Sequence, residues 1–376
     1  LASSDAFGQR EFFAALFALP IVATFIRHAQ SGAWPPLSAR VLAAVLASFT
    51  IAIKPPLFAL PGALLLADCL WRTRSLGFAW RSGLVPAGAL GVLITGATLA
   101  MFPDYLGPLW DTMRDVYVPT RIGPLGVFSS RAGIAALAGL GAAALLARQN
   151  EHDAPALRVL LVVGAGFFAV YLFQGKFFTY HAYPAALIGM IALALACWER
   201  VSTLAEPRRG LTWGLALTWI GLCATLFVGF DDRHPKMQDL SWAAELEAPT
   251  VMAVSPDIGT SFPLTRELGG VWLDRTHSQW VARYARFILE NDEVSAERRE
   301  VLDRYQREDL VAFLDRLQER TPDLLFVDLT PAHDWLMPAL EELRPGFLAD
   351  YEPLAEEGRV RVLRRRPKSP PREGAR

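Results

Sequence analysis

Apolar residues run in long unbroken blocks through the first part of the chain, at 12–26, 41–53, 57–70, 84–102, 132–147, 159–173, 185–198 and 211–230. A half-buried strand would alternate with period two, so continuous blocks of this length predict helices. A hydrocarbon core about 30 Å thick needs roughly twenty apolar residues to cross it. Several blocks are near the short limit, and only Lys54-Pro55-Pro56 separates the second from the third. The pattern predicts a polytopic α-helical membrane domain over 1–230 with about eight spans. Beyond 230 it changes. TVMAV at 250–254 and DLLFVD at 323–328 read as buried strands, and RVRVLR at 359–364 alternates as an edge strand does. Residues 278–290 and 297–319 have helical periodicity with charged outer faces. A small α/β domain with about three strands is expected over 231–367. The basic, proline-rich residues 368–376 form a disordered tail in this reading.

Charge follows the same division. Up to Phe230 there are 16 basic and 10 acidic residues; the remaining chain has 21 and 28. A formal net charge of −1 gives no bulk attraction to nucleic acid. Cys69, Cys197 and Cys223 all lie in apolar runs without metal-ligand or disulfide spacing, and read as buried thiols. Alternating spans define two sets of loops. The set 27–40, 71–83, 148–158 and 199–210 carries ten arginines, among them Arg27, Arg72, Arg158 and Arg209. The set 54–56, 103–131 and 177–184 is poorer in basic residues, though Arg114, Arg121 and Arg131 belong to it. The positive-inside bias puts the first set in the cytoplasm, and with it places 231–367 outside.

Candidate chemistry gathers on the outer side. Asp5, Arg10 and Glu11 precede the first span, Lys54 ends the second, and QGKFFTYHAYP at 174–184 brings Lys176, Tyr180 and His181. A lysine at a span end can be a snorkelling anchor or can hold a phosphate at the membrane boundary. Aromatic residues there suit an interfacial belt, whereas His181 can donate to a phosphate or relay a proton. Arg10 has the forked geometry that grips phosphate or carboxylate. In the 103–131 loop, LWDTMRDVYV sets Leu109, Trp110, Met113, Val116 and Tyr117 opposite Asp111, Arg114 and Asp115, predicting a short helix on the membrane surface. No HExxH, GxSxG or GxxxxGK[ST] motif occurs, leaving soluble hydrolase and nucleotide-driven pump readings unsupported. Within 231–367 the polar residues of interest are Asp257, Asp274, His277, Asp328, His333 and Asp334; Asp328, at a strand end, suits a turn or cap as well as a site.

The stretches DAFGQRE, IAIKPP, QGKFFTYHAYP and GTSFPLTRELGGVWLDRTHSQW together resemble the bacterial GT-C class membrane glycosyltransferases. More narrowly, the chain resembles the dolichyl-phosphate-mannose and aminoarabinose transferase group. The resemblance implies an enzyme of the bacterial inner membrane that moves a hexosyl or pentosyl group from a polyprenyl-phosphate carrier to an outer-face lipid, glycan or protein. It implies Arg10, Lys54, Lys176 and His181 as the phosphate-binding set, with Glu11, Tyr180 and Arg114 secondary. Partners would be the lipid-linked donor and membrane lipid. No metal ligand set is assigned, and a divalent metal ion is left open. The chain starts LASSDAFGQRE, so the expectation is a missing N-terminal part that holds the main acid, with Asp5 as the local catalytic candidate and a fragment that is inactive alone. The alternative is a non-catalytic membrane scaffold, or a transporter component, of envelope polysaccharide assembly. A transporter needs ionisable groups within its spans, and Asp68 is the nearest to that.

Overall fold

The computed structural model describes residues 10–147, 154–176, 178–202 and 240–367 except 245, with isolated positions between 210 and 221. Asp5, the tail from 368 and almost all of the expected span at 211–230 lie outside the described residues. The chain divides into two compact units. One comprises Leu1–Gly107 with Arg121–Asp231, the other Pro108–Thr120 with Asp232–Arg376.

The first unit is helical. Its elements are α1 (Arg10–Ser31), α2 (Leu37–Ile53), α3 (Leu60–Thr73), α4 (Leu76–Arg81) and α5 (Leu84–Met101). After α6 (Pro108–Thr112), which belongs to the second unit, come α7 (Pro124–Phe128), α8 (Arg131–Ala147), α9 (Ala154–Gln174) and α10 (Thr179–Ser202). Among the described residues, four stretches are long and apolar enough to cross a membrane: Arg10–Ser31, Leu84–Met101, Pro155–Gln174 and Tyr180–Trp198. Helices α2 and α8 are apolar but have 17 residues each. About eight spans were expected; four helices among the described residues meet the requirement by length and composition.

Small residues let these helices approach. Ala14, Ala18, Ile21, Val22 and Phe25 recur at helical spacing on α1 and share a core with Ala43, Ala44 and Ala47 of α2. The Thr50 hydroxyl ties the two by donating to the Ala14 carbonyl at 3.1 Å. On α8 and α10, Gly139 and Gly189 meet so closely that a Cβ on Gly139 would lie 3.7 Å from the Gly189 carbonyl carbon. Large apolar side chains such as Leu42, Val92, Leu93 and Leu145 point outward. Such a surface suits lipid.

The second unit holds a five-stranded sheet of order β2-β1-β3-β5-β4. Its strands are β1 (Thr250–Val254), β2 (Val271–Trp272), β3 (Leu324–Asp328), β4 (Tyr351–Glu357) and β5 (Val360–Arg365). β1 runs parallel to both β2 and β3, while β5 is antiparallel to β3 and β4. The helices are α11 (Phe262–Glu267), α12 (Trp280–Asn291), α13 (Ala296–Arg320) and α14 (Leu336–Leu343). Met252, Val254, Leu325 and Val327 face the helical core of Leu310, Phe313, Leu314 and Leu340. Val251, Ala253, Leu324 and Phe326 face the opposite core. Both faces of the central strands are buried, which is why they read as unbroken apolar runs. The expected count of three strands is too low. β2 has only two residues, and β4 (YEPLAEE) carries three glutamates and a proline at a register shift, as an edge strand tolerates.

Pro108–Thr120 is not one regular helix. After α6 it forms a π-helical turn over Met113–Tyr117, and Val116 is fully buried with Ala285, Ile288 and Leu302. The Tyr117 ring stands edge-on to Trp280 and Tyr284 at 6.2 and 5.8 Å. Asp115 meets Arg298 at 3.4 Å and accepts from the Tyr305 hydroxyl at 3.3 Å. Of the predicted apolar side, Val116 and Tyr117 pack against protein, while Leu109 and Trp110 are exposed.

Candidate functional site

The first turn of α1, the end of α2, the end of α9 and the start of α10 converge. Helix α2 stops at Lys54 because Pro55 follows, and a residue before proline disfavours helical backbone. Helix α9 stops at Gln174 because Gly175 turns left-handed, at φ +62°. A Cβ at Gly175 would also lie 2.9 Å from Cβ of Arg121. The Gly175 carbonyl accepts from the Ile122 amide at 2.7 Å, so Arg121 is held beside this turn. α10 resumes at Thr179 and keeps Pro184 inside it. QGKFFTYHAYP is thus a helix end, a short connector and a helix start, rather than a loop as far as 184. The proline costs one backbone hydrogen bond, which the helix tolerates.

Lys54 Nζ donates to Glu11 Oε1 at 2.9 Å and also to Gln174 Oε1. His181 Nε2 lies 3.4 Å from the same Glu11 oxygen. Glu11, Gln174, Lys176 and His181 are all buried. An ammonium withdrawn from water requires a counter-charge, and Glu11 supplies it. The surroundings are strongly cationic. Arg10 and Arg121 act electrostatically on Lys54, and Arg10, Lys54 and Lys176 act on His181. Burial, and then the Arg121 charge, push the Lys176 ammonium down to about 8. Lys54 and His181 thus meet one carboxylate, while Arg10, Arg121 and Lys176 lie within electrostatic reach of these groups. The Gln174 amide nitrogen and His181 Nδ1 are enclosed without a hydrogen-bond partner among the described residues. Excess positive charge and an orphan amide donor are complementary to an anion rich in acceptor oxygens.

Of the residues singled out in the sequence, Lys54, Lys176, His181 and Glu11 come together, with Arg10 in electrostatic reach. Tyr180 flanks them, stacked on Phe178 at 5.3 Å and edge-on to His181 at 4.5 Å. Arg114 belongs to the other unit, where Asp111 and Asp115 take up its guanidinium at 3.2 and 2.9 Å. Asp5 lies outside the described residues. Gln174 and Arg121 were not among the candidates. Gln174 has a faint signal, a polar residue closing an apolar run, while Arg121 had figured only as a charge against the assigned orientation. Asp68 is elsewhere: Arg158 holds it at 2.8 Å and Arg72 at 3.1 Å. Arg158 and Gln174 occupy opposite ends of α9, about 24 Å apart at the helical rise per residue. No group of three His, Cys, Asp or Glu side chains converges as a metal-ligand set among the described residues. The divalent ion left open by the resemblance finds no such set there.

These features define a helical unit with, among the described residues, four helices long and apolar enough to cross a membrane and a polar cluster at helix ends in which Glu11, Gln174, Lys176 and His181 are buried, followed by a small α/β unit. Neither a family model, nor a characterised protein, nor a solved structure matches the chain.

Proposed function

We propose that the chain belongs to a membrane glycosyltransferase, which takes a sugar from a polyprenyl-phosphate carrier and passes it to an acceptor on the outer face of a bacterial inner membrane. The observation that carries this reading is the meeting of Lys54 and the buried His181 at the buried Glu11, with the buried Lys176 and the exposed Arg10 and Arg121 in electrostatic reach of the cluster. In such a transfer an acceptor oxygen bonds to the anomeric carbon as the bond from that carbon to the phosphate oxygen breaks. The carrier leaves as a phosphate whose negative charge grows in the transition state. In this reading Arg10, Lys54, Lys176 and Arg121 stabilise that charge, and the Gln174 amide donates to a phosphate oxygen. Glu11 positions Lys54 and His181. The acceptor proton passes to a carboxylate base, for which Asp5 is the candidate.

One observation favours a second reading. Glu11 and His181 form a buried ionisable pair at the ends of two candidate spans, as a proton-coupled transporter component would use. The test is sugar transfer from polyprenyl-phosphate donors by the whole enzyme in proteoliposomes, compared at equal folded abundance. Lys54→Met and Lys176→Met should each slow transfer roughly a hundredfold, the usual effect of losing one preorganised contact to developing charge. Arg27→Met, in the arginine-rich set of loops, should leave it near normal. Equal rates in all three variants would refute the phosphate-binding role. Proton uptake coupled to sugar movement, without transfer, would support the transporter.

A further inference from the structure

Between Glu11 and Asp104 the chain carries one carboxylate, Asp68, against Arg27, Arg40, Lys54, Arg72, Arg74 and Arg81. Asp68 already meets Arg72 at 3.1 Å and Arg158 at 2.8 Å. Arg74 and Arg81 are exposed, and neither meets a carboxylate among the described residues. In the α/β unit, by contrast, Arg286, Arg344 and Arg361 each pair with a carboxylate at 2.6 Å.

These two arginines bracket α4. Helix α3 ends at Thr73, and Arg74 turns left-handed at φ +52°, its amide donating to the Leu70 carbonyl at 2.9 Å. Ser75 then caps α4 by accepting from the Phe78 amide at 3.2 Å. One side of α4 is held by the rest of the helical unit. Ala79 is fully buried, and Phe78 stands edge-on to Trp34 at 5.0 Å and to His28 at 5.3 Å. Arg40 ties the far end by donating to the Arg81 carbonyl at 2.7 Å. The other side is bare. Leu76 and Trp80, one helical turn apart, are 74% and 64% exposed, and Trp71 at the end of α3 is 69% exposed. The Arg74 guanidinium lies over the Trp71 ring, 4.8 Å from its centroid. Such stacking engages the flat face of the guanidinium and leaves the N–H donors in its plane free. Helix α5, a candidate span, begins at Leu84, so α4 lies where that span meets the membrane boundary.

Guanidinia without a counter-charge, beside bare apolar side chains, fit an occupant that is anionic at one end and apolar at the other. A phospholipid is both, because its phosphate adjoins glycerol and acyl chains. Tryptophan suits that depth, having an apolar ring and a polar N–H. A zwitterionic headgroup brings its own cation and gains less from the two arginines. We propose that α4 and the end of α3 form a docking surface for anionic phospholipid, with Arg74 and Arg81 on the headgroup and Trp71, Leu76 and Trp80 against the adjoining glycerol and chains. The surface uses no residue of the Glu11 cluster. Its test is lipid binding, so it can fail while the transfer reading stands, and the reverse.

The experiment titrates the full chain, in a non-ionic detergent, with dioleoyl-phosphatidylglycerol or dioleoyl-phosphatidylcholine and counts lipid-bound species by native mass spectrometry. Phosphatidylglycerol should bind about tenfold more tightly or better. Arg74→Gln and Arg81→Gln should each cut that preference about fivefold, the effect of one arginine beside an anionic headgroup. Both side chains are exposed and lack a carboxylate partner, so these variants should melt with the parent. Arg344→Gln, in the α/β unit, should keep the preference. Soluble glycerol phosphate at about tenfold excess should not displace the lipid, because it has no chain for Trp71, Leu76 and Trp80 to meet. Equal affinity for the two lipids would overturn the proposal and leave the face to an acidic segment of a partner protein. Displacement by glycerol phosphate, or an unchanged preference in both arginine variants, would overturn it as well.

Discussion

Replacing Glu11 with alanine should strand Lys54. The ammonium sits 2.9 Å from the carboxylate oxygen, with side-chain exposures of 19% for Lys54 and 2% for Glu11. At an effective dielectric of about 20, two unit charges at that distance attract by roughly 6 kcal/mol. Desolvation consumes much of this, so the pair contributes far less net stability than the attraction alone. Removing one partner is a different matter, because the other stays buried without a counter-charge, at a cost of about 3–5 kcal/mol. Gln174 remains as a second acceptor for Lys54, which argues for the lower half of that range. Adding Lys54→Met should return most of the loss, since an apolar chain replaces the stranded charge. The measurement is a double-mutant cycle on detergent-solubilised protein, read by equilibrium unfolding. A coupling energy of about 2 kcal/mol or more is expected. Coupling below about 0.5 kcal/mol, with the double variant as unstable as the sum of the singles, would show that the pair is not a buried ionic unit.

Three other outcomes follow from single positions. Burial raises the Asp309 carboxyl to about 6, so its contribution to stability is complete below its ordinary value of 3.8 and is lost as pH rises through 6. Asp309→Asn should remove a fall of up to about 3 kcal/mol between pH 4 and 7, measured by denaturant unfolding at each pH; a curve parallel to the parent's would contradict the burial argument. Gly175→Ala should destabilise by more than about 1 kcal/mol, because alanine resists left-handed backbone and its Cβ would fall 2.9 Å from Arg121. An unchanged melting temperature would count against this turn. Val116→Ala should cost about 2 kcal/mol and speed proteolytic cutting of the 108–120 segment, since Val116 is buried among Ala285, Ile288 and Leu302; unchanged protection would mean that the segment is held by other contacts.

Apolar run length was enough, by itself, to mark the helices at 12–26, 84–102 and 159–173, because a continuous greasy stretch has no other way to satisfy its backbone in an apolar environment. TVMAV and DLLFVD were legible for a related reason: strands buried on both faces must be apolar at every position. Residue type also brought Lys54, Lys176 and His181 forward, since charged or titratable groups at the ends of apolar helices are costly enough to be conspicuous. Chain order could not say that Glu11 lies against Lys54, 43 residues away, or that Gln174 shares the same ammonium. It could not show that Val116 and Tyr117 of LWDTMRDVYV pack against α12, because an amphipathic stripe fits lipid or protein equally well. Nor could it show that Ser255 and Asp328, 73 residues apart, share a hydrogen bond. Those pairings depend on which helix ends and strand ends come together, and only tertiary packing decides that.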